Sequence, residues 1–345
     1  VFILAILAVF VGGALTLFAA RAGAMEARGV FSLVSRESAL VLNNILLAVS
    51  SFVVFVGTIW PLFAEIILGR TLSVGAPFFN AAFTPFMVAL AVILPPGAML
   101  AWKRGTIGKA MKPLWGVVVL AVALAGLAFA LQTGKSALGP VGVALGVWVV
   151  FGALTDLWQR TGRQGMAARL GRLGRLPRSD WGKALSHAGL GITIFGIATL
   201  MAWQEEDIRT AQIGESFTVG AWEITLESVE RAEGPNYSST VAAMTVARDG
   251  KEIGTLYPEK RFYPVAGMPT TEAAIRNGFL RDIYLVIGDA QSNGGYAVRT
   301  YIKPFANWIW GGAILMALGG LVSLSDRRLR VAAGAAKRVE GVPAE

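Results

Sequence analysis

Seven stretches of this chain are apolar over about the length of a membrane crossing: 1–20, 40–67, 83–102, 114–131, 141–158, 184–203 and 305–324. About twenty residues suffice, since a helix rising ~1.5 Å per residue must cover ~30 Å of hydrocarbon. The second stretch is longer than a bilayer needs, and Pro61 predicts a bend or a new helical start near its far end. Pro95 and Pro96 predict a kink in the third. Between 204 and 304 the pattern changes to alternation. Segments 217–229, 241–246, 252–257, 282–287 and 296–302 read as half-buried strands, separated by Glu-Gly-Pro-Asn, Arg-Asp-Gly-Lys and Asn-Gly-Gly turns. Residues 271–277 read as a short helix capped by Thr270 or Thr271. The predicted fold is therefore a polytopic α-helical membrane protein of about seven transmembrane helices. A small all-β domain, a barrel or sandwich of five or six antiparallel strands, is inserted before the last helix. The expected divisions are 1–203 for six helices, 204–304 for the β domain, 305–326 for the last helix and 327–345 for a basic tail.

Charge orients this arrangement. Arg21, Arg28 and Arg36 follow the first span, and Lys103, Arg104, Lys109 and Lys112 follow the third. Arg160, Arg163, Arg169, Arg172, Arg175, Arg178 and Lys183 follow the fifth, and Arg327, Arg328, Arg330, Lys337 and Arg338 follow the seventh. The alternate short loops hold only Arg70 and Lys135. Basic short loops mark the cytoplasmic side, so the β domain is expected outside the cytoplasm and the C-terminus inside.

Of the 345 residues 54% are hydrophobic and 15% charged, with a net charge of +9. Residues 204–304 hold ten Lys/Arg against fourteen Asp/Glu, so the positive excess lies in the membrane part. There it meets the anionic cytoplasmic leaflet. No aromatic or glycine motif for base stacking accompanies it, which argues against nucleic acid. With no cysteine, disulfides, thiolate metal sites and thiol chemistry are excluded. Val1 opens inside an apolar run without a basic leader, and the chain reads as the later part of a longer one.

Polar side chains inside spans are costly and point to function. Here they are Asn43, Asn44, Glu65, Asp156, His187 and Asn307. Glu65 and Asp156 lie near span ends, where snorkelling suffices. Asn43 and Asn44 suit interhelical hydrogen bonds. His187, the only histidine, can be a hydrogen-bonded interfacial residue or an axial ligand to haem iron. Ala184 and Gly191 share its helical face at i−3 and i+4, which would let a flat macrocycle approach the backbone. A second histidine ligand would have to come from another polypeptide segment.

Longer motifs carry a resemblance: Ser35-Arg-Glu-Ser-Ala-Leu-Val-Leu-Asn-Asn-Ile-Leu-Leu47, Gly57-Thr-Ile-Trp-Pro61, Leu72-Ser-Val-Gly-Ala-Pro-Phe-Phe-Asn80 and Ser186-His-Ala-Gly-Leu-Gly191. They continue with Tyr257-Pro-Glu-Lys-Arg-Phe-Tyr263, Met268-Pro-Thr-Thr-Glu-Ala-Ala274, Arg281-Asp-Ile-Tyr284 and Lys303-Pro-Phe-Ala-Asn-Trp-Ile-Trp310. In this order they resemble the later half of the CcmF family, the haem-lyase subunit of bacterial cytochrome c maturation. The resemblance implies haem accepted from the chaperone CcmE and attached, with CcmH-type thiol-reductase partners, to apocytochrome c in the periplasm. It also implies a structural b-type haem in the inner membrane, with quinol as a candidate electron source. His187 matches one of that haem's two ligands. The family's Trp-rich haem-handling segment, its periplasmic histidines and its other membrane histidine have no counterpart here, so this stretch alone is expected to be inactive as a lyase.

Arg36 and Glu37 are then expected to form a salt bridge or to contact a haem propionate or quinone. Glu259, Arg261, Glu272, Arg281 and Asp282 are expected to form an ion-pair network around the 258–271 loop. Pro258, Arg261, Thr271, Glu272, Asp282 and Tyr284 are candidates for either loop architecture or docking of partners. Two other readings are a membrane scaffold without a cofactor and the NrfE-type paralogue serving the nitrite-reductase cytochrome. A transporter is disfavoured, because no internal repeat is visible.

Overall fold

The computed structural model describes residues 2–25, 30–132, 137–162, 164–326 and 328. Arg28, Lys135, Arg163 and the tail residues Arg327, Arg330, Lys337 and Arg338, used above for orientation, lie outside them. The helices are α1 (Phe2–Arg21), α2 (Arg36–Leu68), α3 (Ala76–Met99), α4 (Ile107–Met111), α5 (Trp115–Leu131), α6 (Leu138–Gln159), α7 (Met166–Leu173), α8 (Arg178–Trp203) and α9 (Ala306–Leu324). Six of the described helical stretches are long and apolar enough to span a membrane: α2, α3, the run of α4 into α5, α6, α8 and α9. The seventh expected span is α1, whose side chains from Ala5 onward are exposed on every side.

Local signals account for the ends of α2. Ser35 is an N-cap whose hydroxyl accepts from the Ser38 amide at 3.1 Å. Gly69 closes the helix in the left-handed region at φ 58°, which glycine adopts without a Cβ penalty. Pro61 starts no new helix; α2 runs unbroken through it. Pro95 and Pro96 fall in the closing turn of α3, which ends at Met99.

The α8 helix is the hub of the bundle, and its faces divide by residue size. One face meets α9 through Gly182, Gly189 and Gly196. A methyl at Gly189 would sit 2.6 Å from the Gly312 carbonyl oxygen, and one at Gly182 would sit 2.5 Å from that of Gly319. Ser186 and Thr193 donate across this seam to the carbonyls of Met316 and Ile309, each at 3.2 Å. A second face meets α6, where Gly191 lies against the Gly146 carbonyl and Ala198 against Gly142. Small residues that let backbones touch are the usual basis of helix association in lipid. The third face carries Lys183 and His187.

The β region is two sheets. One has the order β1 (Glu205–Ala211), β10 (Tyr296–Pro304), β9 (Arg281–Ala290), β8 (Ala274–Arg276). The other has the order β2 (Ser216–Val219), β3 (Trp222–Glu233), β4 (Ser238–Arg248), β6 (Glu259–Tyr263), β7 (Met268–Glu272), with β5 (Lys251–Leu256) also on β4. The register is antiparallel throughout. Ile224, Leu226, Met244, Ile283, Leu285 and Ile287 are fully buried in the shared core.

Three sequence expectations fail here, the first being the count of five or six strands, since ten form among the described residues. The single strand 217–229 is a hairpin, because Gly220 turns the chain at φ 57°. The helix expected at 271–277 is instead parts of β7 and β8. Thr271 pairs with Lys260 and Ile275 with Tyr284, so ladders with distant strands override a local capping signal. The Asp249-Gly250 turn does close β4 onto β5 with both residues at positive φ, as a two-residue hairpin demands.

The candidate cofactor site on the third face of α8

His187 is half-buried and lines a cavity of about 240 Å³ between α2, α3 and α8, together with Arg36, Asn43, Gly97 and Lys183. Neither ring nitrogen has a hydrogen-bond partner among the described residues. One turn away, the ammonium of Lys183 is paired with Asp156 of α6, and Asp156 also lies 3.4 Å from Arg160. Arg160 continues to Asp180 at 2.7 Å. Asp156 is thus buried at 6% exposure and doubly paired, not snorkelling. Its partner Lys183, which the sequence offered only as a topology marker, stands in the cavity wall.

Arg36 and Glu37 do not pair with each other. The Arg36 guanidinium donates to the Ala98 carbonyl at 3.0 Å and lies over the Trp102 ring. The Glu37 carboxylate accepts from the Lys103 amide at 2.8 Å. Together they strap the start of α2 to the end of α3, and this holds the Arg36 side chain on the cavity. Asn43 faces the cavity, while Asn44 is exposed and accepts from the Asn43 amide. Ala184 and Gly191 are buried and absent from the cavity lining, and Gly191 is spent on packing against α6. Room beside the imidazole comes from Ala39 and Gly97 on α2 and α3. Glu65 is exposed near the far end of α2.

The outer-domain candidates are not one cluster. Arg261 bonds Glu259 at 2.9 Å and approaches Glu272 at 3.8 Å, so an ion-pair group does brace the β6–β7 hairpin. The Glu259 carboxylate raises the Arg261 pKa further above its ordinary value. Arg281 and Asp282 stand apart from this group. Asp282, 2% exposed, accepts from the Gly278 amide at 2.9 Å and from the Asn307 amide at 3.0 Å. Asn307 is therefore the joint between α9 and the β domain, helped by Trp308, whose indole donates to the Phe279 carbonyl at 2.9 Å. Pro258 is buried, Thr271 and Glu272 are exposed on the hairpin, and Tyr284 lies on the other sheet beneath the Lys303 ammonium at 3.9 Å. Burial and the nearby Asp282 push the Tyr284 phenol up. Among the described residues no three His, Asp or Glu side chains gather as a metal site.

Residues 202–304 match the family model described as the CcmF C-terminal beta-sandwich. The cytochrome c-type biogenesis protein ccl1 of Rhodobacter capsulatus is 59% identical over 97% of this chain and 50% of its own length. The cytochrome c-type biogenesis protein CycK of Rhizobium meliloti is 44% identical over 98% of this chain and 50% of its own. The chain belongs to the CcmF family. It spans about half the length of the curated relatives it matches. A solved structure, that of "Cytochrome c Heme Lyase CcmF", superposes with a TM-score of 0.66 at 24% identity, covering 85% of this chain and 46% of that one. That likeness establishes a shared fold. Within this CcmF-family chain, sequence reasoning missed Lys183 as a cavity residue and α7 as a helix. The i, i+4 and i+7 spacing of Met166, Leu170 and Leu173 was the available signal for α7.

Proposed function

We propose that this chain is the later half of a haem-lyase subunit for cytochrome c maturation and that it supplies one axial ligand to a b-type haem. The observation that carries this reading is the His187 ring, without a hydrogen-bond partner among the described residues and facing a cavity that Arg36 and Lys183 also line. The residues suit the group. An imidazole nitrogen is a haem-iron ligand, and Arg36 and Lys183 would receive carboxylates such as propionates at the basic end of the bundle. Asn43 adds an amide to the same wall. A bound haem would supply one-electron transfer, and the second ligand would come from outside the described residues. Asp156 is the ion-pair partner that positions Lys183 on this wall.

In this reading the chain lies in the inner membrane with its β domain in the periplasm and its C-terminus in the cytoplasm. The exposed β6–β7 hairpin with Thr271 and Glu272, or the Tyr284–Lys303 face, docks the haem chaperone CcmE, a CcmH-type subunit or apocytochrome c. Replacing His187 by Ala in the full-length protein is expected to remove the membrane haem absorbance and depress cytochrome c yield, with added imidazole restoring the absorbance. Unchanged haem content and yield would defeat the ligand role. Because the chain has no cysteine, one introduced at the fully exposed Val265 should react with an impermeant maleimide in spheroplasts. One at Arg175 should react only after lysis. The reverse pattern would overturn the orientation.

A further inference from the structure

Between α6 and α8, α7 folds against the side of the bundle and leaves a groove of about 400 Å³ lined by Phe151, Leu154, Trp158, Leu173 and Trp181. The groove is open: Phe151 and Leu154 are 42% and 47% exposed. The Trp181 indole closes one end by donating to the Leu173 carbonyl at 3.1 Å. Met166 and Leu170, on the same stripe of α7 as Leu173, are 66% and 57% exposed. An apolar stripe flanked by arginines at the end of a transmembrane bundle is the pattern of a helix lying in the membrane interface.

Four arginines, Arg169, Arg172, Arg175 and Arg178, belong to this corner. The Arg169 guanidinium lies 4.1 Å over the Trp158 ring that lines the groove and donates to the Trp158 carbonyl at 2.7 Å and the Thr161 hydroxyl at 3.0 Å. Arg172 reaches the Thr161 carbonyl at 3.4 Å, and Arg178 the Ser325 carbonyl at 3.5 Å. None of the four has a carboxylate partner among the described residues, while the neighbouring Arg160 is fully engaged with Asp156 and Asp180. Guanidiniums turned only to neutral acceptors keep their charge available to an anion.

We propose that this corner is a binding site for one anionic phospholipid. An acyl chain lies in the groove along Phe151 and Leu154, and the phosphate is received beside Trp158 by Arg169 and Arg172. The groove runs onto the apolar side of α6, so its occupant needs a hydrocarbon tail. The arginines stand at the polar end, so it also needs an anionic head. A free phosphate meets only the second requirement, and a zwitterionic lipid lacks the net charge.

The test is native mass spectrometry of the full-length protein from mixed micelles holding equal phosphatidylglycerol and phosphatidylethanolamine. Wild type is expected to retain phosphatidylglycerol about fivefold or more over phosphatidylethanolamine. R172Q/R175Q, which alters two exposed side chains, is expected to lose roughly twenty-five-fold in phosphatidylglycerol retention, from about fivefold per interfacial arginine. Leu154→Trp, which fills the groove and spares the cations, is expected to lower retention as well. Equal retention of both lipids by wild type, an unchanged preference in R172Q/R175Q, or complete displacement by millimolar inorganic phosphate would each overturn the proposal.

Discussion

The β-sandwich and the α8 seams of the helical bundle use side-chain size in opposite ways. In the sandwich the largest apolar residues point inward, and Ile224, Leu226, Leu285 and Ile287 have no exposed surface. In the bundle the inward positions of α8 are Gly182, Ala184, Ala188, Gly189, Gly191, Gly196, Ala198, Thr199 and Ala202. Large side chains such as Phe52, Phe55, Phe63 and Ile66 on α2 point outward. A domain in water gains ~25 cal/mol for each Å² of apolar surface it removes from solvent. A helix already in hydrocarbon gains nothing of that kind by meeting another helix, so it associates through backbone proximity and hydrogen bonds. Beyond the hydroxyls that bond across its seams, titratable groups inside the bundle stand out, and the Lys183–His187 face of α8, with Asp156 opposite, gathers them.

The comparison breaks most sharply at Gly189. A leucine there must displace backbone of α9, 2.6 Å away, so Gly189→Leu is expected to separate the two helices and abolish accumulation of the protein in membranes. Immunoblotting of membrane fractions checks this, and a normal level would show that the seam is not needed. In the sandwich the opposite change is damaging. Leu285→Ala should destabilise the β domain by ~2–5 kcal/mol, as loss of buried volume does. Faster amide exchange confined to the strands of the intact protein would report it, while the helices keep their protection.

The smallest effect separates surface charge from core packing. Asp207 bonds Arg209 through two contacts of 2.5 and 2.8 Å, and that guanidinium holds its carboxyl below the usual value. A carboxylate with a depressed folded pKa contributes stability that is present above the unfolded pKa, near 3.8. That stability fades as pH falls through the lower folded value. Because the pair is only half-buried and still screened by solvent, the contribution is at most about 1 kcal/mol. Asp207→Asn should lower the denaturation midpoint of the β domain slightly at pH 6, and the difference from wild type should close as pH falls through the depressed folded value. A gap that persists at low pH would assign the effect to shape instead of charge.

Much of this was legible along the chain. Apolar runs of twenty residues located the spans, because crossing hydrocarbon imposes a length that few other structures require. The alternating segments located most of the sandwich, and the Asp249-Gly250 turn was readable from its residue types alone. The helix expected near Thr271 was not real, since cap chemistry is local and the pairing of β7 with β6 is not. The division of 217–229 into two strands depended on a single glycine inside an otherwise continuous alternation. His187 stood out because it is unique and lies within a span, whereas Lys183 hid among the basic residues that mark a membrane end.

By itself the sequence determined the order of the apolar helices, the insertion of a β domain before the last of them, and a lone imidazole within one. Those features follow from periodicity, length and residue type, each carried by contiguous stretches. Only the tertiary structure decided which face of α8 each residue serves: that Gly191 packs on α6, that Asp156 reaches Lys183, and that Arg36 arrives beside His187 from 151 residues earlier in the chain. Contacts of that kind depend on the rotation of packed helices about their axes, and small residues spaced three and four apart on several faces of one helix leave that rotation open until its neighbours are in place.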